Sequence, residues 1–496
     1  MRRAHAQPVQ YHFEGDIMKL GSVALIAATA ALALAGADSV AAGKNSKKAS
    51  LATKTTGRMI GVNVVLKQDI TDAVLKDIAR FGIVRDTIYE IDALTLQARE
   101  TNLPAIQALP YVAAANPDAV RNGAPVDTVP VEDFGDGINT WDLDAINVTD
   151  FGSADRQVSY DGSGIYVAVL DTGLLDSWRQ YFPEERIATQ HARALGGGGG
   201  DVGTVSSQPN KWEHDQNSHG THVTSTILGY RYVSAATGPL SVNGVAPNAT
   251  VIPVKVLNQN GSGWSSVTAR GIAYVTKLKT DGLLGDSAVV INMSLGGSTL
   301  DAMEKKAIDD AITAGVIIVA SAGNSGEAGM GYPGAYAPVI SVAASGWVSE
   351  WPVVGGVTNR RWWRTDDVTE PTTEENFYIA DFSSRQKAGQ DLDVAAPGSW
   401  VVGPYQSNSG QISYSFLGGT SMAAPHVAGI VALMAQKYPG LTAGMAEGIL
   451  QTTAIPLPAG CRTVNQPSGP PEELCWEADA TGSGLTTADA ALAATP

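Results

Sequence analysis

The chain has 496 residues, 44% of them hydrophobic and 17% charged, and a formal net charge of −16. A chain this long and apolar exceeds one ordinary domain and buries a sizeable core, while its acidic balance argues against nucleic acid as a partner. Two cysteines exclude a Cys-rich zinc site, and seven histidines leave few combinations of reactive side chains.

The first recognisable element is an apolar run from Leu20 to about Ala37, preceded by Lys19 and followed by Ser39-Val40-Ala41 and Val40-Ala41-Ala42. A basic flank, a short apolar stretch and small residues at its end predict a signal peptide over residues 1–42, with translation able to start at Met18. Secretion, to the exterior or the periplasm, is the expectation. The rival is a membrane anchor, but the run is short for a span of about 20 residues. Residues 43–57 are polar and basic, with Lys44, Lys47, Lys48 and Lys54, and read as a linker.

Residues 58–122 predict a small βαββαβ unit of the split βαβ, ferredoxin-like type. Strands are expected at Met59–Leu66, Ile83–Ile91, Leu94–Ala98 and Tyr111–Ala115. Helices are expected at Asp69–Phe81, where Ile70, Val74 and Ile78 share a face, and at Asn102–Leu109. A unit this small is marginal alone and should pack on something larger.

Beyond residue 140 the pattern changes. Ile165–Leu170, Val251–Leu257, Ala288–Met293, Val316–Ala320 and Val339–Ala343 are Val- and Ile-rich and mostly do not alternate. Strands buried on both faces of a parallel sheet have this character. With helices predicted at Val267–Leu278 and Ala302–Ala314, an α/β domain with a mainly parallel central sheet follows. Gly196–Gly200 predicts a flexible loop. Residues 346–380, with Trp347, Trp351, Trp362 and Trp363, predict a long surface insertion whose tryptophans anchor it to the body, contact with a substrate or partner being the alternative. In an oxidising compartment Cys461 and Cys475 are expected to pair, stabilising by about 2–4 kcal/mol. Two buried free thiols are the alternative.

Three segments carry candidate chemistry. Asp171, followed by Thr172-Gly173, ends a predicted strand, where functional groups collect in open α/β sheets. His219 lies in Asn217-Ser218-His219-Gly220-Thr221-His222. Ser421 lies in Gly418-Gly419-Thr420-Ser421-Met422-Ala423-Ala424-Pro425-His426, ahead of a helix with Pro425 tolerated in its first turn. A serine hydroxyl needs a nearby base, and an imidazole base needs an orienting carboxylate. Backbone N–H groups at the helix start can bind a developing oxyanion.

Asp171, His219 and Ser421, in that order, closely resemble the subtilisin-like serine proteases over roughly residues 140–490. The resemblance implies a three-layer subtilisin-like domain over residues 123–496, with Asp171 orienting His219, His219 as base and Ser421 as nucleophile. It leaves His222 structural. Ser321-Ala322-Gly323-Asn324 resembles the segment whose asparagine donates to the oxyanion, which implies that role for Asn324. Ser294-Leu295-Gly296 and Gly261-Ser262-Gly263 resemble the two strands that pair with an extended substrate. Met330-Gly331-Tyr332-Pro333 falls at the expected pocket floor, where the small Gly331 leaves room for a large apolar side chain. Val394-Ala395-Ala396-Pro397-Gly398 and the segment from Gly482 to Ala490 match later landmarks.

The same resemblance implies that residues 43–122 are a propeptide, a chaperone and intramolecular inhibitor of a monomeric enzyme acting on polypeptides. Trp141-Asp142-Leu143-Asp144-Ala145-Ile146 resembles the start of a mature chain, so processing is expected between about residues 115 and 140. No cofactor is expected for the chemistry. A structural calcium is compatible with the family, with its ligands unassigned: Leu228–Val245 offers few carboxylates, and Gln180 lies near the position of an expected Asp. Three other classes are weaker. An aspartic protease would need a second Asp-Thr-Gly, and a lipase-type esterase a Gly-x-Ser-x-Gly and another residue order. A non-catalytic relative would not be expected to retain all four residues.

Overall fold

The computed structural model describes residues 57–131, 141–150, 155–205, 210–234, 238–354, 357–358, 368–406 and 412–496. The expected signal peptide, nearly all of the expected linker, Trp362 and Trp363 lie outside these residues. Among the described residues no helix is long and apolar enough to cross a membrane.

The predicted buried strands form the centre of one sheet. Its order runs Phe377–Ile379, Ile340–Trp347, Val316–Ser321, Val289–Met293, Tyr166–Asp171, Thr250–Lys255, Arg193–Gly198 and Asp201–Val205, with Val394–Pro397 also pairing Ile340–Trp347. The central pairs are all parallel, and antiparallel strands occur only at the two ends. The Val/Ile runs do not alternate because helices cover both faces. One face packs His219–Leu228 and Thr420–Lys437 through Val223, Ile227, Val427 and Val431. The other packs Ser265–Thr280 and Ala302–Thr313 through Val267, Ile272, Met303 and Ile308. These are the expected three layers. In register, Asp171 lies opposite Lys255 and Met293 opposite Ala320. The segments that follow, Thr172, Ser294 and Ala322–Asn324, therefore leave the sheet at one edge.

Residues 59–117 form strand, helix, two strands, helix and strand, with Gly82–Ile88, Ala93–Arg99, Met59–Leu66 and Val112–Pro117 adjacent in that order. Thr71 caps the first helix by accepting from Val74 N, and Val74 and Ile78 point into a local core with Val62, Val64 and Leu96. The opposite sheet face is not solvated. Val65, Ile88, Ile91 and Ala93 join the buried cluster of Ala273 and Ala307. Asn63 is buried between Asp118 (2.9 Å) and Asp301 (2.8 Å), and Arg270 Nε donates to Asp86 at 3.0 Å. The marginal unit thus rests on the two helices of the large domain, and residues 56–496 cluster as one body.

One expectation is corrected. The Gly196–Gly200 run is not a free loop but part of a hairpin, Arg193–Gly198 pairing with Asp201–Val205. A Cβ at Gly198 would lie 2.6 Å from Trp264 Cβ, and one at Gly199 would lie 2.5 Å from Trp264 Cζ2. Gly199 N donates to Asp118 at 2.7 Å. With φ of +81° and +63° at these positions, glycine answers both the conformation and the close approach.

Trp347 and Trp351 are buried. Trp347 stacks on Trp141 at 6.4 Å, and Trp351 meets Trp400 at 5.4 Å and Phe416 at 5.0 Å. Cys461 and Cys475 are bonded across the antiparallel strands Gly460–Val464 and Glu472–Trp476.

Candidate active site

Asp171 sits at the carboxyl end of its strand and is fully buried, as is His219 in the first turn of His219–Leu228. His219 Nδ1 lies 2.9 Å from Asp171 Oδ1 and 3.0 Å from Oδ2, and His219 Nε2 is buried without a partner. The local sequence explains the approach. A Cβ at Gly220 would lie 2.3 Å from Gly173 O, so only glycine lets the helix start against the strand end.

Sequence reasoning missed the loop that aims the imidazole. Asp215 accepts from Asn217 N (2.9 Å), Ser218 N (2.9 Å) and Thr172 Oγ1 (2.7 Å), and Gly220 N donates to Thr172 Oγ1 at 2.9 Å. Lys255 Nζ lies 3.7 Å from Asp215 and donates to Thr172 O. Burial pushes the Asp215 carboxyl up, with Lys255 the main opposing influence. The available signal was an Asp four residues before His219 in a short polar stretch.

Ser421 is the second residue of Thr420–Lys437 and is buried. Its hydroxyl donates to Ser294 O at 3.2 Å, and Ser294 Oγ donates to Ser421 O at 2.7 Å. The strand end carrying Ser294 and the helix start carrying Ser421 are thereby tied together. Asn324 Oδ1 accepts from Thr420 N (2.9 Å) and Thr420 Oγ1 (2.8 Å). That fixes the amide with its NH2 group beside Gly419, where a Cβ would lie 3.6 Å from Nδ2. Gly331 N donates to Ala322 O at 2.8 Å, and Tyr332 exchanges hydrogen bonds with Gly297 (2.7 and 2.9 Å), so Met330–Pro333 borders the same cleft.

The other two motif histidines are packed. His222 Nε2 lies 3.1 Å from Val401 O, and burial, then the proximity of His219, pushes its pKa down to about 3. His426 lies between Met422 O (2.8 Å) and Asp142 Oδ2 (3.0 Å).

Gly261–Gly263 and Ser294–Gly296 flank an extended segment of the chain itself. Val120–Asn122 pairs antiparallel with Ser262–Trp264, and Asn122 exchanges two 2.9 Å backbone bonds with Gly296. Gly123 N donates to Gly261 O at 2.8 Å. A Cβ at Gly123 would lie 2.8 Å from Ser294 O and 3.4 Å from His219 Cε1, and one at Gly419 would lie 3.7 Å from Pro125 Cα. Val126 N donates to Gly418 O at 2.7 Å. The chain passes His219 at Gly123 and the helix start at Pro125, so residues 123–125 run through the cleft between the imidazole and the helix that carries Ser421.

An imidazole held by a buried carboxylate, a serine at a helix start and a strand lying between two backbone edges outline a serine-type peptidase. Comparison with known proteins agrees. The model of the Subtilase family matches residues 162–485. Subtilisin DY of Bacillus licheniformis is 35% identical over 302 residues, 60% of this chain and 86% of that protein. The thermostable alkaline protease of Halalkalibacterium halodurans is 33% identical over 293 residues, covering 59% and 63%. Subtilisin E of Bacillus subtilis is 34% identical over 299 residues, covering 60% and 61%. Fervidolysin from Fervidobacterium pennivorans, a keratinolytic enzyme related to subtilisin, matches in structure with a TM-score of 0.59 at 24% identity, over 89% of this chain and 62% of that one. That last likeness concerns the fold. The matches span less than two thirds of the alkaline protease, of Subtilisin E and of fervidolysin. The chain belongs to the subtilase family and is a serine-type endopeptidase.

Proposed function

We propose that the chain is the precursor of a secreted endopeptidase in which Asp171, His219 and Ser421 cleave peptide bonds through an acyl-enzyme. His219 Nε2 takes the Ser421 proton as Oγ attacks the substrate carbonyl, then passes it to the leaving amine. Asp171 holds the tautomer that carries the proton on Nδ1 and stabilises the imidazolium. Asn324 Nδ2 and the start of Thr420–Lys437 receive the oxyanion. Water then attacks the ester by the same route. The carrying observation is His219, bound through Nδ1 to both Asp171 oxygens while Nε2 has no partner. In this state Ser421 donates to Ser294 O, so its hydroxyl must rotate toward Nε2 before attack. Digestion of an unfolded protein by the mature enzyme is the direct test, and a mature, folded enzyme that leaves it intact contradicts the proposal.

The propeptide runs from residue 43 to Ala124, two residues beyond the expected end at 122, with Val120–Gly123 lying along the two strand edges as an inhibitor until the Ala124–Pro125 bond is cut. Asn324→Ala is expected to lower kcat by ~10²–10³ with little change in KM, because the lost donor serves the transition state more than the bound substrate. Steady-state kinetics on one peptide amide checks this.

The chemistry needs no cofactor, and structural calcium has no assigned ligands. Among the described residues one carboxylate group, Asp391, Asp393 and Glu447, is close enough to share an ion. Asp393 already accepts from Ser341 N, Ser341 Oγ and Gln451 Nε2, and calcium wants six or more oxygens, so this set does not fit. Replacing Cys461 and Cys475 together by serine is expected to cost about 3 kcal/mol of stability, since the bond closes a loop of sequence separation 14. Denaturant unfolding of both forms measures it, and coincident midpoints would show that the bond contributes nothing.

A further inference from the structure

Arg121 is the most unusual side chain in the cleft segment. Strand alternation sends the neighbouring side chains of Arg121 and Asn122 to opposite faces: Asn122 is exposed, whereas Arg121 is fully buried. The Arg121 guanidinium donates from Nε to both oxygens of Glu304 at 3.0 and 3.2 Å, and from Nη2 to Glu304 Oε2 at 2.5 Å. Nη2 also reaches Thr299 O at 3.0 Å, and Nη1 reaches Val120 O at 3.0 Å. Glu304 is itself fully buried, in the first turn of Ala302–Thr313. Gly297 makes room for the charge, because a Cβ there would lie 2.8 Å from Arg121 Nη1.

This pocket belongs to two different molecules over the enzyme's life. Glu304, Thr299 and Gly297 belong to the catalytic domain. Arg121 belongs to the segment that leaves once the chain is cut. With Ala124–Pro125 at Ser421, Arg121 is the fourth residue before the bond. We propose that Glu304 makes the mature enzyme select substrates with arginine at that fourth position. The inference rests on the peptidase function proposed above.

The physical reason is the state left behind when Arg121 departs. A buried carboxylate without a cation is costly, and a substrate guanidinium restores the pair, whereas an aliphatic side chain leaves it unmet. Burial pushes the Glu304 carboxyl up, with Arg121 the main opposing influence. The forked geometry, with Nε and Nη2 both on Glu304, favours arginine over lysine, whose single ammonium cannot span the same acceptors. The precursor segment carries the residue that this pocket would demand of a substrate.

The test uses the mature enzyme and tetrapeptide amides on one fluorogenic amine: Arg-Asn-Gly-Ala and the versions with Lys, norleucine or Glu in first place. Active sites are counted with a fluorophosphonate, so each kcat/KM refers to competent enzyme. The arginine peptide is expected to exceed the norleucine peptide by about 30-fold or more, the lower end of the loss when one partner of a buried charge pair is removed, with lysine between. In Glu304→Leu the ratio of arginine to norleucine should fall to one or below, and Glu304→Gln supplies the same readout if the leucine variant does not fold. Equal rates for arginine and norleucine in titrated wild-type enzyme, or an unchanged ratio in the variant, overturn the inference and leave the peptidase function standing. Enzyme that neither titrates nor cleaves any peptide overturns both.

Discussion

Replacing Ser421 with alanine is expected to lower kcat by about 10⁶-fold, the scale lost when a triad nucleophile is removed, and to leave the chain uncut. The methyl group fills the same space at the start of Thr420–Lys437. The buried position of Ser421 tolerates the change, because only the 3.2 Å bond to Ser294 O is lost. Folding should therefore survive while chemistry does not. In the wild type, N-terminal sequencing is expected to find Pro125 as the first new terminus. In Ser421→Ala the terminus generated by removal of residues 1–42 should persist, with residues 57–131 still associated. Normal processing of that variant would show that another protease cuts the chain.

Asp171→Asn is expected to lower kcat by about 10⁴-fold at neutral pH while leaving KM within a few-fold. The amide is isosteric, so the fold gives little resistance, but its NH2 group can face Nδ1. Thr172 N donates to Asp171 Oδ1 at 2.6 Å, which directs the remaining amide oxygen toward the backbone. The imidazole would then turn its lone pair to Nδ1 and its proton to Nε2, the wrong arrangement for accepting from Ser421. A loss below tenfold would mean that Asp171 does not set the tautomer. Circular dichroism of the variant separates this from misfolding.

Much of the fold was legible because its signals are local. Non-alternating Val/Ile runs reported strands covered on both faces, and the structure sets all five side by side. Spaced apolar residues reported Ser265–Thr280 and Ala302–Thr313 within two residues at each end. What escaped was non-local. Gly196–Gly200 looked like a free loop because its partners, Trp264 and Asp118, lie more than sixty residues away in both directions. Asp215 has no local signal of its partners, since only folding brings Thr172 and Lys255 to it. Arg121 carries no signal of its pairing, because nothing near it in sequence announces Glu304 across 183 residues. The candidate nucleophile segment was readable for the opposite reason: Gly418 to His426 packs a tight turn, a helix start and a reactive side chain into one short stretch.

The nucleophile assignment is tested most directly by covalent trapping. Mature enzyme treated with a fluorophosphonate, digested and analysed by mass spectrometry should carry one adduct, on Ser421, lost in Ser421→Ala and strongly slowed in His219→Ala. Full peptidase activity after treatment, or an adduct on any serine other than Ser421, would contradict the account.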